Sequence, residues 1–244
     1  MKITFFEEFS TQRNLDKLKL VTFPTKLYIA AQNLQEFRKF EKQLPVPLIY
    51  WLVLDMKDGY WISPFSKRGA LVKRFKEVER KSLAFMLDLE NPIFAPWLYF
   101  IELPNFLRNK HFIKKFIQTA KPGLTLVEMS GDEKKLQRWG LSYESDIAYI
   151  AKMAYTSMMR GPRERRTARL HRICDAGIKK YGKRFKIGLG CITHGISGTE
   201  PILTPEQLGE DIEIVKKVGV SEAIIFRLGG LNEDYVKIIK EKMI

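Results

Sequence analysis

Eight short apolar runs punctuate the chain, and amphipathic helical patterns fill the intervals between them. The runs are Ile3–Phe9, Lys26–Ala31, Leu48–Leu54, Leu83–Glu90, Leu124–Ser130, Lys152–Met158, Lys186–Thr193 and Glu222–Leu228. Most are continuously apolar rather than alternating, as strands buried on both faces of a parallel sheet must be. Of the intervening helices, Asn14 is placed to cap Leu15–Val21 and Asn33 to cap Leu34–Leu44; Lys67–Arg80, Lys110–Ala120 and Arg163–Tyr181 follow. Thr204-Pro205-Glu206-Gln207 supplies an N-cap, a proline at the first helical position and Gln three residues after the cap. Asn232 opens a last helix to Lys242. The sixth unit is the least defined, because Leu141–Ala151 reads as loop, helix or an earlier strand start.

Eight strands alternating with helices over 244 residues are the arithmetic of a (β/α)8 TIM barrel, a single domain over 1–244. An aromatic-rich loop is expected at about 91–109. A doubly wound sheet would announce a Gly-rich turn after its first strand, but that turn reads Glu7-Glu8-Phe9-Ser10-Thr11, and no glycine precedes Gly59. Lys and Arg number 42 against 28 Asp and Glu, a net charge of +14 that favours anionic ligands or surfaces without bearing on the fold. Two cysteines, Cys174 and Cys191, exclude a disulfide scaffold and a four-Cys zinc site. The apolar stretches are too short to span a membrane, and the N-terminus lacks a signal-peptide pattern, so a cytoplasmic protein is expected.

Barrel enzymes keep their sites at the carboxyl ends of the strands. There the sequence places Glu7-Glu8, Asp55, Asp88 with Glu90, Glu128, Tyr155, His194 and Arg227. Carboxylates are disfavoured in strands and costly to bury unpaired, although each also reads as a helix cap or a salt-bridge partner. Asp88-x-Glu90 is the sharpest pattern. Alternation along a strand points both carboxylates into the barrel and Leu87 and Leu89 into the helix layer, about 6–7 Å apart at Cα. Carboxylates so close push one pKa up, leaving a proton donor beside an anion, as glycosidic cleavage requires. A carboxylate cluster with His194 is equally a donor set for Mg²⁺ or Mn²⁺; no other cofactor is expected.

Phe85-Met86-Leu87-Asp88-Leu89-Glu90 resembles the fourth strand of chitinase-like and lysozyme-like glycoside hydrolase barrels. The resemblance implies Glu90 as the acid, but the upstream Asp residues of that pattern are replaced by Phe85 and Met86. Gly188-Leu189-Gly190-Cys191 and the segment from Ile225 to Glu233 resemble a family of barrel proteins from thermophilic archaea. That likeness implies a barrel and a heat-adapted source, and no activity comes with it.

Glu8 and Glu128 join Asp88 and Glu90 as candidate catalytic carboxylates. Trp51, Asp55, Tyr60, Trp61, Tyr155, His194, Arg227, Gly229 and Gly230 are candidate substrate contacts. The aromatics Tyr60, Trp61, Phe94, Trp97, Tyr99, Phe100 and Phe106 would stack on sugars, cover an apolar substrate, pack over the barrel mouth or form a subunit contact; a homo-oligomer stays open. Gly195-Ile196-Ser197-Gly198-Thr199 and Arg227-Leu228-Gly229-Gly230 offer an alternative, a sugar-phosphate enzyme gripping phosphate in the loops after strands seven and eight. A second alternative is a non-catalytic barrel that binds an anionic partner through Arg160–Arg172. Nucleic acid is not the expected partner, because Leu170, Ile173 and Ile178 form an apolar stripe that leaves the arginines on a solvated face. Cys191 and His194 fall on opposite strand faces and make no nucleophile pair.

Overall fold

The computed structural model of the protein describes residues 1–79 and 81–243. Strands β1 (Lys2–Glu7), β2 (Leu27–Ala31), β3 (Leu48–Leu52), β4 (Phe85–Leu89), β5 (Leu124–Met129), β6 (Tyr149–Met153), β7 (Phe185–Gly190) and β8 (Glu222–Phe226) follow chain order around a closed barrel. Between and after them run α1 (Gln12–Leu15), α2 (Leu34–Gln43), α3 (Arg68–Val78), α4 (Leu98–Ile101), α5 (Phe106–Thr119), α6 (Glu133–Trp139), α7 (Arg163–Tyr181), α8 (Pro205–Val218) and α9 (Glu233–Met243). The described pairings are parallel, including β1 with β2 and β8, β4 with β3 and β5, and β7 with β8. This is the (β/α)8 arrangement that the alternating pattern predicts. No helix among the described residues is long and apolar enough to cross a membrane.

Contacts group the chain into two compact units, Met1–Ile29 with Ala151–Ile244, and Ala30–Ile150. In the second, Tyr50 stacks on Phe37 of α2 at 5.0 Å, and Phe85 meets Phe116 of α5 at 5.9 Å. These contacts fix the outer face. With Tyr50 opposite Phe85 and Trp51 opposite Met86, alternation turns Leu87 and Leu89 to the helices and Trp51, Met86 and Asp88 inward. Register carries this into β5, where Glu128 pairs with Leu89 and so lies on the helix side.

In the first unit, Phe6 meets Tyr28 at 5.3 Å and Phe226 at 6.4 Å on the inner face. Toward the strand N-termini a buried polar network closes that face. Lys186 Nζ donates to Tyr28 OH at 2.8 Å and lies 3.3 Å from Glu222 Oε2, while Tyr28 OH donates to Glu222 Oε1 at 2.8 Å. Burial holds the Lys186 ammonium below its ordinary pKa, against the pull of Glu222. Polar side chains at the amino ends of barrel strands serve stability rather than chemistry.

Several boundaries differ from expectation, each for a local reason. The first helix is capped by Thr11, whose hydroxyl accepts from Asn14 N, and its second half tightens into a 3-10 turn at Asp16–Leu20. Asn14 does not cap, because its amide donates to Glu7 and to Phe9 O. The sixth strand starts at Tyr149 and ends at Met153, and Thr156–Met158 is a 3-10 turn. Ser157 Oγ ties that turn down, accepting from Cys191 N and donating to Gly190 O. The helix expected from Lys110 starts at Phe106, and α4 and a 3-10 turn at Leu103–Asn105 interrupt the loop before it. Helix α6, capped by Asp132 and closed by left-handed Gly140, was not expected. Arg80, the expected end of the third helix, lies outside the described residues. The capping box at Thr204 and the cap by Asn33 are as expected.

Candidate functional site

Asp88 is the next-to-last residue of β4, 3% exposed, with its side chain on the inner face beside those of Trp51 and Met86. Glu90, just past the strand, is half-buried. The connection after β3 is stitched to this edge, since Ile62 N donates to Asp88 O at 2.9 Å. That connection begins as a tight turn in which Asp55 O accepts from the N–H groups of Asp58 and Tyr60, and Tyr60 takes a φ of 55°. The turn sets Tyr60 edge-on to Trp61 at 5.5 Å, and Trp61 meets Phe94 of the next loop at 5.3 Å. Tyr60 and Trp61 are buried. They brace the loops around Asp88 rather than present open stacking faces.

Glu128 separates from this pair. It lies on the helix side of β5, buried, and accepts from Tyr143 N at 3.2 Å. Burial raises the Tyr143 phenol pKa, and the nearby Glu128 charge adds to the effect. Glu128 stands near the carboxyl end of β5, where the sequence places it, but on the opposite face of the sheet from Asp88, because one step of register moves a strand residue to the other face.

One residue beyond Glu90, Asn91 lines a cavity of about 570 Å³ together with Phe65, Tyr99, Leu103, Trp139 and Leu141. Phe65 organises its wall, 4.8 Å from both Tyr99 and Phe106 and 6.0 Å from Trp139. Asn91 Oδ1 is buried there without a hydrogen-bond partner among the described residues. A mainly apolar cavity with a few polar groups has the make-up of a small-molecule site. Asn91, Trp139 and Leu141 were not singled out from sequence, because they come together only through the fold.

The two loops considered for phosphate are filled from within. Glu7 Oε1 accepts from Arg227 Nη1 at 2.9 Å, Phe9 N at 2.8 Å and Asn14 Nδ2 at 3.1 Å, and Oε2 accepts from Gly229 N at 2.6 Å. Arg227 Nε donates to His194 O at 2.9 Å, and its guanidinium lies over the Phe9 ring. Burial raises the Glu7 carboxyl pKa, while Arg227 and the N–H donors pull it down. A Cβ at Gly230 would lie 2.4 Å from the backbone atom Ile192 O, so only glycine admits that approach, and one at Gly229 would lie 2.5 Å from Arg227 Nη1 and push the guanidinium aside. After β7, Glu200 accepts from Gly195 N at 3.0 Å and from both Ser197 N and Ser197 Oγ. Burial works against its charge, but these donors prevail and hold its pKa below the ordinary range. The groups expected to grip phosphate thus grip two carboxylates of the chain itself, and neither Asn14 nor Glu200 carried a sequence signal for that role.

Glu8 is buried beyond β1. Burial first, then the charges of Glu200 and Glu8, push the Cys191 thiol up to about 12, so it is no nucleophile at neutral pH. Tyr155 packs on Phe226 at 5.5 Å. His194 Nδ1 lies 3.0 Å from Glu200 O, and among the described residues no group of three or more His, Cys, Asp or Glu side chains has the arrangement of a metal site. On α7, Arg165, Arg166, Arg169 and Arg172 line a shallow groove with Arg160. Arg163 turns away from it to pair with Asp211 and Glu210.

No family model matches the sequence, and no curated protein matches it. Solved structures do. The PgaB (BpsB) glycoside hydrolase domain from Bordetella bronchiseptica superposes with a TM-score of 0.55 at 10% identity, covering 100% of this chain and 97% of that one. A chitinase from Chromobacterium violaceum gives 0.55 at 10% identity, with 99% and 98% covered. A GH5-4 broad-specificity endoglucanase from Bacteroides salanitronis gives 0.53 at 11% identity, with 95% and 85% covered. At such identities the likeness establishes the barrel fold and no more.

Proposed function

We infer that the protein is a barrel enzyme of glycoside-hydrolase type acting on a carbohydrate or another polar small molecule, with Glu90 as general acid and Asp88 as its partner. The observation that carries this reading is the inward, buried Asp88 with Glu90 two residues beyond it at the end of β4. Burial disfavours a charged carboxylate and a neighbouring one disfavours it further, which suits one group to donate a proton while the other stays anionic. The cavity beside Asn91 offers an adjoining place for a sugar or its aglycone. The solved barrels with TM-scores above 0.5 include a chitinase and an endoglucanase, which supports a carbohydrate substrate. A cytoplasmic location and a heat-adapted source accompany the reading.

The phosphate-ligand alternative would require Glu7 to leave Arg227 and Gly229, and Glu200 to release Gly195 and Ser197. The test is a screen of β-linked oligosaccharides and chromogenic glycosides against the wild type and Glu90→Gln. Cleavage by the wild type that Glu90→Gln abolishes supports the assignment; cleavage that survives in Glu90→Gln rejects it.

A further inference from the structure

Six large apolar side chains between residues 93 and 107 stand in solvent: Ile93, Trp97, Phe100, Ile101, Leu103 and Leu107. Phe100 is 81% exposed and Leu107 74%. Ile93 lies in the loop before α4 and Trp97 caps that helix; Phe100 and Ile101 are on α4, Leu103 on the 3-10 turn after it and Leu107 in the first turn of α5, with Pro96 and Pro104 along the run. A soluble surface tolerates single exposed apolar residues, but a contiguous cluster of this kind marks an interaction site. The interior of the same segment is well built, since Leu98 is buried and Asn109 ties α5 to Pro64 O and Ser66 O. The exposed side chains are therefore displayed by an ordered scaffold.

Charge identifies what covers them. Arg108, Lys114 and Lys115 are exposed on α5 directly after the apolar run. The segment's one carboxylate, Glu102, is buried and accepts from Asn105 Nδ2 at 3.0 Å. From the neighbouring element, Asp132 borders the cavity that Leu103 lines, and its carboxylate is engaged in capping α6. We propose that this face docks the protein peripherally on an anionic lipid bilayer, with Trp97, Phe100, Ile101, Leu103 and Leu107 entering the interface and Arg108, Lys114 and Lys115 meeting the headgroups. Apolar insertion combined with basic side chains is the composition of interfacial binding, and no spanning helix is needed. A second copy is a poorer occupant, because a self-complementary contact would bring the two basic rims together in a chain of net charge +14. The proposal does not depend on the hydrolase reading.

The experiment is co-sedimentation of the full chain with phosphatidylcholine vesicles, with and without about 30% phosphatidylglycerol. The expected result is binding to the anionic vesicles only. Phe100→Glu with Leu107→Glu should weaken it at least about tenfold, since two apolar insertions are lost. Both positions are exposed, so the melting temperature should stay that of the wild type. Lys114→Gln with Lys115→Gln should weaken binding and flatten its salt dependence while leaving the apolar face intact. Three results would overturn the proposal. One is no binding to anionic vesicles. Another is binding that Phe100→Glu with Leu107→Glu leaves unchanged, which would reflect net charge alone. The last is a concentration-dependent dimer, seen by sedimentation velocity, that the same variant dissolves.

Discussion

Arg227 Nη1 and Glu7 Oε1 meet at 2.9 Å across 220 residues of sequence, joining the end of β8 to the end of β1. The Glu7 side chain is fully buried and that of Arg227 is nearly so. A carboxylate held by a guanidinium, two backbone N–H groups and an amide occupies the cradle that a phosphate would otherwise take. Removing one partner from such a pair strands the other charge.

Glu7→Ala should therefore destabilise the protein by about 3–5 kcal/mol, the usual cost of an orphaned buried charge. Formate or phosphate should then restore part of the melting temperature of the variant, because an added anion that binds the native state stabilises it by mass action. The wild type should show no such shift. Stabilisation of the wild type by phosphate, lost in Arg227→Ala, would revive the sugar-phosphate alternative.

At the end of β4 the expected behaviour is the opposite. Glu90→Gln removes the carboxylate charge two residues beyond Asp88, so the melting temperature should be unchanged or higher while glycoside cleavage disappears. Asp88→Asn should also abolish cleavage. Thermal melts and the oligosaccharide screen, run on the same preparations, check both. A marked loss of stability in Glu90→Gln would make that carboxylate a structural ion-pair partner.

The barrel was legible because apolar strand runs and helix caps are local signals, as Thr204 and Asn33 show. Strand ends were less legible, since hydrophobic runs continue past the last ladder bond. Leu54, for instance, donates to Tyr60 O within a turn rather than to a neighbouring strand. The alternation along the fourth apolar run also put Asp88 on the inner face, as the register of β3 and β4 has it. It could not place Glu128, whose face depends on the register of β5 against β4. Nor could it show that Arg227 and Gly229 already hold an anion, because Glu7 reaches them only through closure of β1 on β8.

The arginine groove on α7 yields a negative prediction. Arg165, Arg169 and Arg172 are exposed, and Arg166 spends Nη1 on Thr156 O. Exposed charges are screened beyond about 8 Å at physiological salt. Fluorescence anisotropy with single-stranded RNA and duplex DNA should show no submicromolar affinity there. Tight binding that falls steeply with salt and vanishes in Arg165→Glu with Arg166→Glu and Arg169→Glu would make α7 a nucleic-acid surface.

Asp211 in α8 gives a pH prediction with a definite sign. Burial pushes its carboxyl up to about 6, while the Thr156 hydroxyl and Arg163 pull the other way without prevailing. A folded-state pKa above the ordinary 3.8 means that the native state binds this proton more tightly than the unfolded chain does. The resulting stabilisation is complete below pH 3.8 and is lost as pH rises through about 6, after which the contribution is flat. Its full size is on the order of 3 kcal/mol. Asp211→Asn cannot ionise, so subtracting its denaturation free energies from those of the wild type between pH 4 and pH 7 isolates the effect. The difference should favour the wild type most at the acidic end and decline toward pH 6. A difference that grows with pH would mean that the Arg163 ion pair outweighs burial and holds Asp211 below its ordinary value.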